Sequence, residues 1–448
     1  MMKQAENPGF TLSPIQQVIK AHRRGERVGL YAVCCSHPSV LRAAMRVASE
    51  YDTVLLVEAT SNQVDQFGGY TGMTPAVFRD TMLALAREQG FPASRLVLGG
   101  DHLGPNAWQH LDAATAMAHA ETLIAAYASA GFHKIHLDCS MRCADDPLQL
   151  DDETVAARSA RLCIVAEAAA AAAGFAPPVY VIGTEVPIPG GEASLAQAGA
   201  VTSPQAARRT LDVHCRAFLD NGLHDAWRRV IAMVVQPGVD FDQSSIQHYD
   251  AEAAAELSAF VAEQPGLVFE AHSTDYQRES ALHAMVRDHF AILKVGPAAT
   301  FALREALFAL CQIEEELLPA HATSQLMQVL DDVMVAKPKN WIKHYLGTPE
   351  EQRLMRRYGL SDRCRYYWGE PEVAAAVGKL LANLDAVAIP LPLLSQHLPE
   401  QYAAVVQGSL PAQAPALIEH KIGSLLAQYA RACNRNAAVA VIAEAAIC

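Results

Sequence analysis

Asp101 and His102 stand side by side in the stretch Leu96 to Trp108, just past an apolar run that stops at Gly99 and Gly100. A strand buried on both faces cannot hold an unpaired aspartate cheaply. The pair is therefore expected at the strand's end, facing a site. An acid beside a histidine has the form of a proton-transfer group next to a metal or substrate ligand. A polar turn that caps the following helix would use the same residue types, and this stretch alone does not choose between the two.

Comparable residues follow other apolar runs. Glu58, Asn62 and Gln63 come after one, Asp138 ends another, and Glu185 and Gln236 follow two more. Glu270 and His272 close a further run, and Lys294 lies near the end of the last. Histidine and carboxylate suit zinc, and a catalytic zinc takes three protein ligands plus an open position. His102, Glu185 and His272 form the candidate ligand set; adding Gln236 softens the preference towards manganese or another divalent ion. Asp101 is the candidate acid/base, with Glu58 and Asp138 in reserve, and Asn62, Gln63 and Lys294 are candidates for binding substrate. A metal in such company can polarise a carbonyl and stabilise the enediolate left by C–C cleavage. The plainer account of each residue is a loop histidine that only hydrogen-bonds, or an aspartate that only caps.

The elements that must position these side chains are eight short apolar runs: Val28–Val33, Thr53–Val57, Leu96–Leu98, Ile135–Leu137, Val179–Ile182, Val230–Val235, Leu267–Phe269 and Ala291–Val295. Runs of this length without a polar face read as strands covered on both sides. Between them lie longer Ala-, Leu-, Glu- and Arg-rich stretches with helical spacing, such as 113–130 and 251–261. Strands alternating with helices imply a parallel sheet with right-handed crossovers. Eight units fit a closed α/β fold, the (β/α)8 TIM barrel, whose strand ends converge on one face where chemistry sits. The barrel is expected over residues 1–319. A mainly helical appendage over 320–448 is expected to pack on it. Within that part, Arg363, Arg365, Tyr366, Tyr367 and Trp368 form a dense cluster suited either to a docking surface or to the seam with the barrel.

The 448 residues carry a formal net charge of -13 without a compensating basic block, which argues against nucleic acid and against an anionic membrane surface. The ten cysteines include no Cys-x-x-Cys pair and read as reduced cytoplasmic thiols. No signal-peptide core opens the chain and no apolar run is long enough to span a bilayer. A Walker-type loop, Gly-x-Ser-x-Gly and Gly-x-Gly-x-x-Gly are all absent, so kinase, serine-hydrolase and dinucleotide readings lack support.

The stretches 58–63, 99–106, 183–192 and 361–368 resemble the GatZ/KbaZ family, and the resemblance extends over nearly the whole chain. Members are the large accessory subunits of class II tagatose-1,6-bisphosphate aldolase in galactitol or N-acetylgalactosamine breakdown, often mislabelled tagatose 6-phosphate kinase. The resemblance implies a chaperone-like subunit that supports a smaller class II aldolase catalytic subunit. Through the barrel's similarity to the class II aldolases, it also implies Asp101 as acid/base, His102 and His272 as zinc ligands and Glu185 beside the metal. Gln236 stands where those aldolases carry another histidine, and Ser273 to Tyr276 replace their glycine-rich phosphate loop. Some relatives are similar to sugar-phosphate 4-epimerases. The alternative is therefore a metal-dependent epimerase of a ketohexose 6-phosphate that interconverts fructose 6-phosphate and tagatose 6-phosphate. The acids and histidines favour the enzyme, but the resemblance is long and specific, and the accessory subunit is the expected function. A sugar-phosphate ligand fits both, and so does an oligomer.

Overall fold

The computed structural model describes residues 12–183 and 200–434. Its centre is a closed barrel of eight parallel strands, each bonded to its neighbours in chain order, the last closing on the first. These are β1 (Leu30–Val33), β2 (Leu55–Thr60), β3 (Leu96–Leu103), β4 (Lys134–Leu137), β5 (Val179–Ile182), β6 (Val230–Val235), β7 (Val268–Ala271) and β8 (Phe290–Val295). All eight sequence runs thus become barrel strands. β3 runs further than its apolar run predicts and includes Asp101 and His102 themselves.

Helix α1 (Pro14–Arg23) precedes the barrel. The crossovers carry α2 (Pro38–Glu50), α3 (Pro75–Glu88), α4 (Ala113–Ser129), α5 (Asp152–Ala172), α6 (Pro204–Asp220), α7 (Ala255–Ala262) and α8 (Glu279–Arg287); α9 (Pro297–Leu317) follows β8. Several start where side-chain chemistry dictates. Ser13, Thr74, Asp112, Asp151 and Ser203 each cap an N-terminus by accepting a backbone amide, which satisfies a donor the helix itself cannot.

Side chains alternate in and out along each strand, and the barrel interior is layered as a result. Its lower layer is apolar, with Leu56, Val97, Val181, Val268 and Ile292 in one cluster, and Ile15 and Ile19 of α1 join that cluster as a plug. The outward residues, such as Val57, Ile135, Leu137 and Leu293, belong to the larger core beneath the helices. One step above the apolar layer the inward side chains turn charged: Glu58, Lys134, Glu270 and Lys294, all buried.

Beyond α9 come α10 (Leu326–Ala336), α11 (Pro349–Tyr358), α12 (Pro371–Asp385), α13 (Leu391–His397), α14 (Pro399–Val406) and α15 (Ala414–Cys433). α15 lies against α2, α8 and α9, and the Cys433 carbonyl accepts from the Gly29 amide just before β1 at 2.9 Å. Among the described residues, no helix is long and apolar enough to cross a membrane, and nine cysteines are free thiols.

Candidate active site

The charged layer is the floor of a cavity at the C-terminal ends of the strands. Lys134 and Glu58 form a buried ion pair, and Lys134 also reaches Glu270 at 2.6 Å. Lys294 pairs with Glu58, stands 2.8 Å from Asp101 and lies 3.5 Å from Glu270. Glu58 can occupy the interior because Gly99 faces it across the β2–β3 ladder: a Cβ there would lie 2.7 Å from its Oε1. Gly104 is needed for the same reason, since a Cβ would lie 1.8 Å from the Asp138 carbonyl oxygen.

Above the floor sit three imidazoles from β3, β4 and the end of β7. Ring centroids are 4.9 Å apart for His102 and His272, 5.2 Å for His102 and His136, and 5.5 Å for His136 and His272. Each has a carboxylate. His102 Nδ1 is 2.8 Å from Asp138, His136 Nδ1 is 3.0 Å from Asp101, and His272 Nε2 is 3.1 Å from Glu270. His102 holds its place with φ at 49°, and Ser273 and Tyr276 just after β7 are also left-handed, at 53° and 61°. Non-glycine residues in that region store strain, and such residues gather at functional sites.

Burial would raise the Asp101 carboxyl, but His102, Lys294 and the His136 hydrogen bond outweigh it and hold it well below the usual range. Asp101 is therefore ionised. Burial also opposes charge on Lys294, and here Asp101, Cys34, Glu58 and Glu270 prevail and keep it cationic. For His102, burial is overcome by Asp101 and Asp138, and its pKa is raised. His272 goes the other way, pushed down to about 3, chiefly by burial. It is a neutral imidazole with a lone pair to offer.

Asp101, His136, Glu270 and His272 each present one ligand atom, and all four atoms lie within 4.8 Å of one another. Four carboxylates (Glu58, Asp101, Asp138, Glu270) meet two ammonium groups (Lys134, Lys294), so negative charge is in excess before any histidine is counted. Neutral imidazole, carboxylate and a surplus of negative charge suit a divalent cation.

Most residues named from sequence meet here. Asp101, His102, Asp138, His272, Lys294, Asn62 and Gln63 line the cavity, with Glu58 directly beneath. Within that set, Asn62 is exposed, while the Gln63 amide is committed to the loop, accepting from Thr60 N and donating to the Cys34 carbonyl. Gln236 is placed differently. Its Oε1 accepts from the Gly238 and Val239 amides at 2.8 and 3.0 Å, and the residue does not line the cavity. Glu185 lies outside the described residues.

The structure also brings in residues that belong to none of the ligand, acid/base or substrate-binding sets expected from sequence. Lys134, His136 and Glu270 sit inside strands, and Cys34 follows β1 on the cavity wall. The signal was the alternation in Lys134-Ile135-His136-Leu137, where a period of two puts both polar residues on the inner face. From beyond the barrel, Arg365 and Tyr366 line the cavity too, on a 3-10 turn at Arg363–Tyr366. Their neighbours Arg363, Tyr367 and Trp368 are buried, and Tyr367 donates to the Lys337 carbonyl. That part of the cluster is a seam rather than an open docking face.

A closed eight-stranded parallel barrel with acids and histidines at its strand ends defines the chain as a (β/α)8 barrel with its site on the C-terminal face. It belongs to the GatZ/KbaZ-like family of D-tagatose-1,6-bisphosphate aldolase subunits, whose model matches residues 15–434. A solved structure from Sinorhizobium meliloti 1021, described as a probable tagatose 6 phosphate kinase, is 49% identical with a TM-score of 0.84 and covers 90% of this chain and 100% of its own. Two aldolases overlap more distantly. The YdjI aldolase of Escherichia coli K12 is 11% identical (TM-score 0.39, covering 80% of this chain and 96% of its own). A fructose-bisphosphate aldolase of Campylobacter jejuni is 12% identical (TM-score 0.41, 84% and 93%).

Proposed function

We propose that this chain is a metal-dependent catalyst that epimerises a ketohexose 6-phosphate at C4 by retro-aldol chemistry. One observation carries the reading: Asp101, three imidazoles and two lysines gather at one cavity and directly beneath it, mostly buried. Buried ion pairs are poor sources of stability, since apolar replacements often do as well. A scaffold has no use for so many.

The residues that would hold the ion are His136, Glu270 and His272, with Asp101 in the same reach and His102 beside them. Zinc or manganese there would supply Lewis-acid polarisation of the ketose carbonyl. The chain's own groups do the rest. Asp101 takes the proton of the substrate's C4 hydroxyl as the C3–C4 bond breaks, giving an aldehyde and a three-carbon enediolate. The Lys294 ammonium, 2.8 Å from Asp101, keeps that carboxylate ionised beforehand and offers positive charge beside the developing anion. Rotation of the aldehyde and reclosure of the bond, with the proton returned from Asp101, inverts C4. Nothing is oxidised overall.

A second reading, an accessory subunit of a class II aldolase, is favoured by the family's description. One experiment addresses both. Metal-loaded protein is given fructose 6-phosphate alone, then mixed with a class II aldolase catalytic subunit. Under the first reading tagatose 6-phosphate forms without a partner, and Asp101→Asn slows it by ~10²–10⁴-fold, the usual loss for a positioned proton-transfer group. No conversion by the wild type, with activation of the aldolase by wild type and variant alike, overturns the first reading in favour of the second.

A further inference from the structure

Barrels of this type commonly hold a phosphate among the loops after the seventh and eighth strands, at a helix N-terminus. Here that position is filled from within. The Asp275 carboxylate, on the loop after β7, accepts from the Gly296 and Ala298 amides at 3.0 and 2.8 Å and so caps α9. An anionic substrate group must be held elsewhere in the cavity. Lys294 is already shared among Glu58, Asp101 and Glu270. Among the described residues lining the cavity, that leaves Arg365 as the arginine or lysine without an ion pair. By sequence, residues 184–199 add no lysine, arginine or histidine.

Arg365 is also fixed in place. Its guanidinium donates to the Ser361 and Asp362 carbonyls and to the Tyr366 hydroxyl, and it stacks 4.5 Å over the Tyr366 ring. Tyr366 packs edge-on against Tyr70 at 4.9 Å. The turn is tied to the barrel because Asp362 accepts from Arg304 Nε at 2.7 Å and from Thr300 Oγ1 at 2.6 Å, both on α9. Two further cavity residues, Ser61 and Ser273, are almost wholly buried, and their hydroxyls have no hydrogen-bond partner among the described residues. A buried hydroxyl left unpaired is costly, so each implies a missing acceptor.

We infer that Arg365 anchors the anionic end of the substrate, with Ser61 and Ser273 as accessory donors, and that the cavity takes a sugar monophosphate rather than a bisphosphate. This rests on the sugar-phosphate reading above and narrows it: one guanidinium without an ion pair matches one phosphate, and among the described residues lining the cavity no second arginine or lysine is free of an ion pair to hold another.

The test is calorimetric binding of inorganic phosphate, fructose 6-phosphate, fructose 1,6-bisphosphate and fructose to the metal-loaded wild type, Arg365→Gln and Arg365→Lys, alongside turnover. The monophosphate should bind the wild type at least ten times more tightly than the bisphosphate does. Arg365→Gln should weaken phosphate and fructose 6-phosphate about 10–100-fold, the loss of a charged hydrogen-bonding partner, and leave fructose unchanged. Arg365→Lys should fall between, since an ammonium keeps the charge and loses the planar fork. If Arg365→Gln does not fold, Arg365→Lys decides: affinity for both phosphates equal to the wild type overturns the anchor. Bisphosphate binding as tight as monophosphate overturns the ligand class. Loss of phosphate affinity in Arg365→Gln without turnover by any protein upholds the anchor and sinks the epimerase reading. Turnover with an unchanged KM in Arg365→Gln sinks the anchor alone.

Discussion

All three imidazoles have a carboxylate partner, so pairing alone does not select the histidines that would bind a metal. His102 gives Nδ1 to Asp138, and His272 gives Nε2 to Glu270. Each retains one ring nitrogen, the arrangement in which a carboxylate orients a ligand. His102 and His272 are the pair named from sequence, whereas the tightest set of ligand atoms replaces His102 with His136. The two assignments separate cleanly. Metal bound per chain, measured on purified variants with intact circular dichroism, should fall to near zero in His272→Ala. A matching loss in His136→Ala but not in His102→Ala selects the geometric set, and the reverse selects the one named from sequence. Unchanged metal in all three would refute both. The fold should persist throughout, because a site at the mouth of a large barrel is not what holds the barrel together.

Among the elements, α9 depends on the cap that Asp275 provides. Burial holds that carboxyl up at about 6, against hydrogen bonds from the Ala298 and Gly296 amides that pull it down. An aspartate in the unfolded chain titrates near ~4. A folded pKa above the unfolded one means a contribution that is complete at low pH and is lost as pH rises through about 6. Asp275→Asn keeps the acceptor oxygen without the charge. Urea titrations from pH 4 to 7 should therefore show the variant gaining on the wild type across that interval. A constant difference would mean that Asp275 does not titrate there. The strands themselves were legible because each is a short apolar run between helical stretches, and Asp101, His102, Asp138 and His272 were legible because they sit at the ends of those runs. Lys134 was not: its charge lies inside β4, where polar usually means solvent-facing, and only the closed barrel makes inward mean enclosed. Gln236 misled for the opposite reason, being at a strand end but turned back onto its own loop.

At the scale of the whole molecule, the part beyond α9 is not peripheral to the site. It supplies Arg365 and Tyr366 to the cavity, and the Tyr429 hydroxyl of α15 donates to the Thr274 carbonyl at 2.7 Å, beside His272 and Ser273. Ile422, Leu426 and Tyr429 on α15 are buried. A chain ending at residue 413 would lose these side chains and uncover the faces of α2, α8 and α9 that α15 covers. Burying each such side chain is worth about 1.5–3 kcal/mol, and net stabilities are only ~5–15 kcal/mol. That truncation should be insoluble or lack a cooperative melting transition; a soluble form melting with the full chain would show α15 to be dispensable. The seating of α15 has a consequence during synthesis. The Gly29 amide at the mouth of β1 waits for the Cys433 carbonyl. A bacterial or eukaryotic ribosome adds ~5–20 residues per second, so the intervening stretch takes roughly 20–80 s to make. For that interval the apolar face of α2 has no native cover, and the nascent barrel must be shielded from its neighbours by dilution or by a chaperone until nearly the last helix emerges.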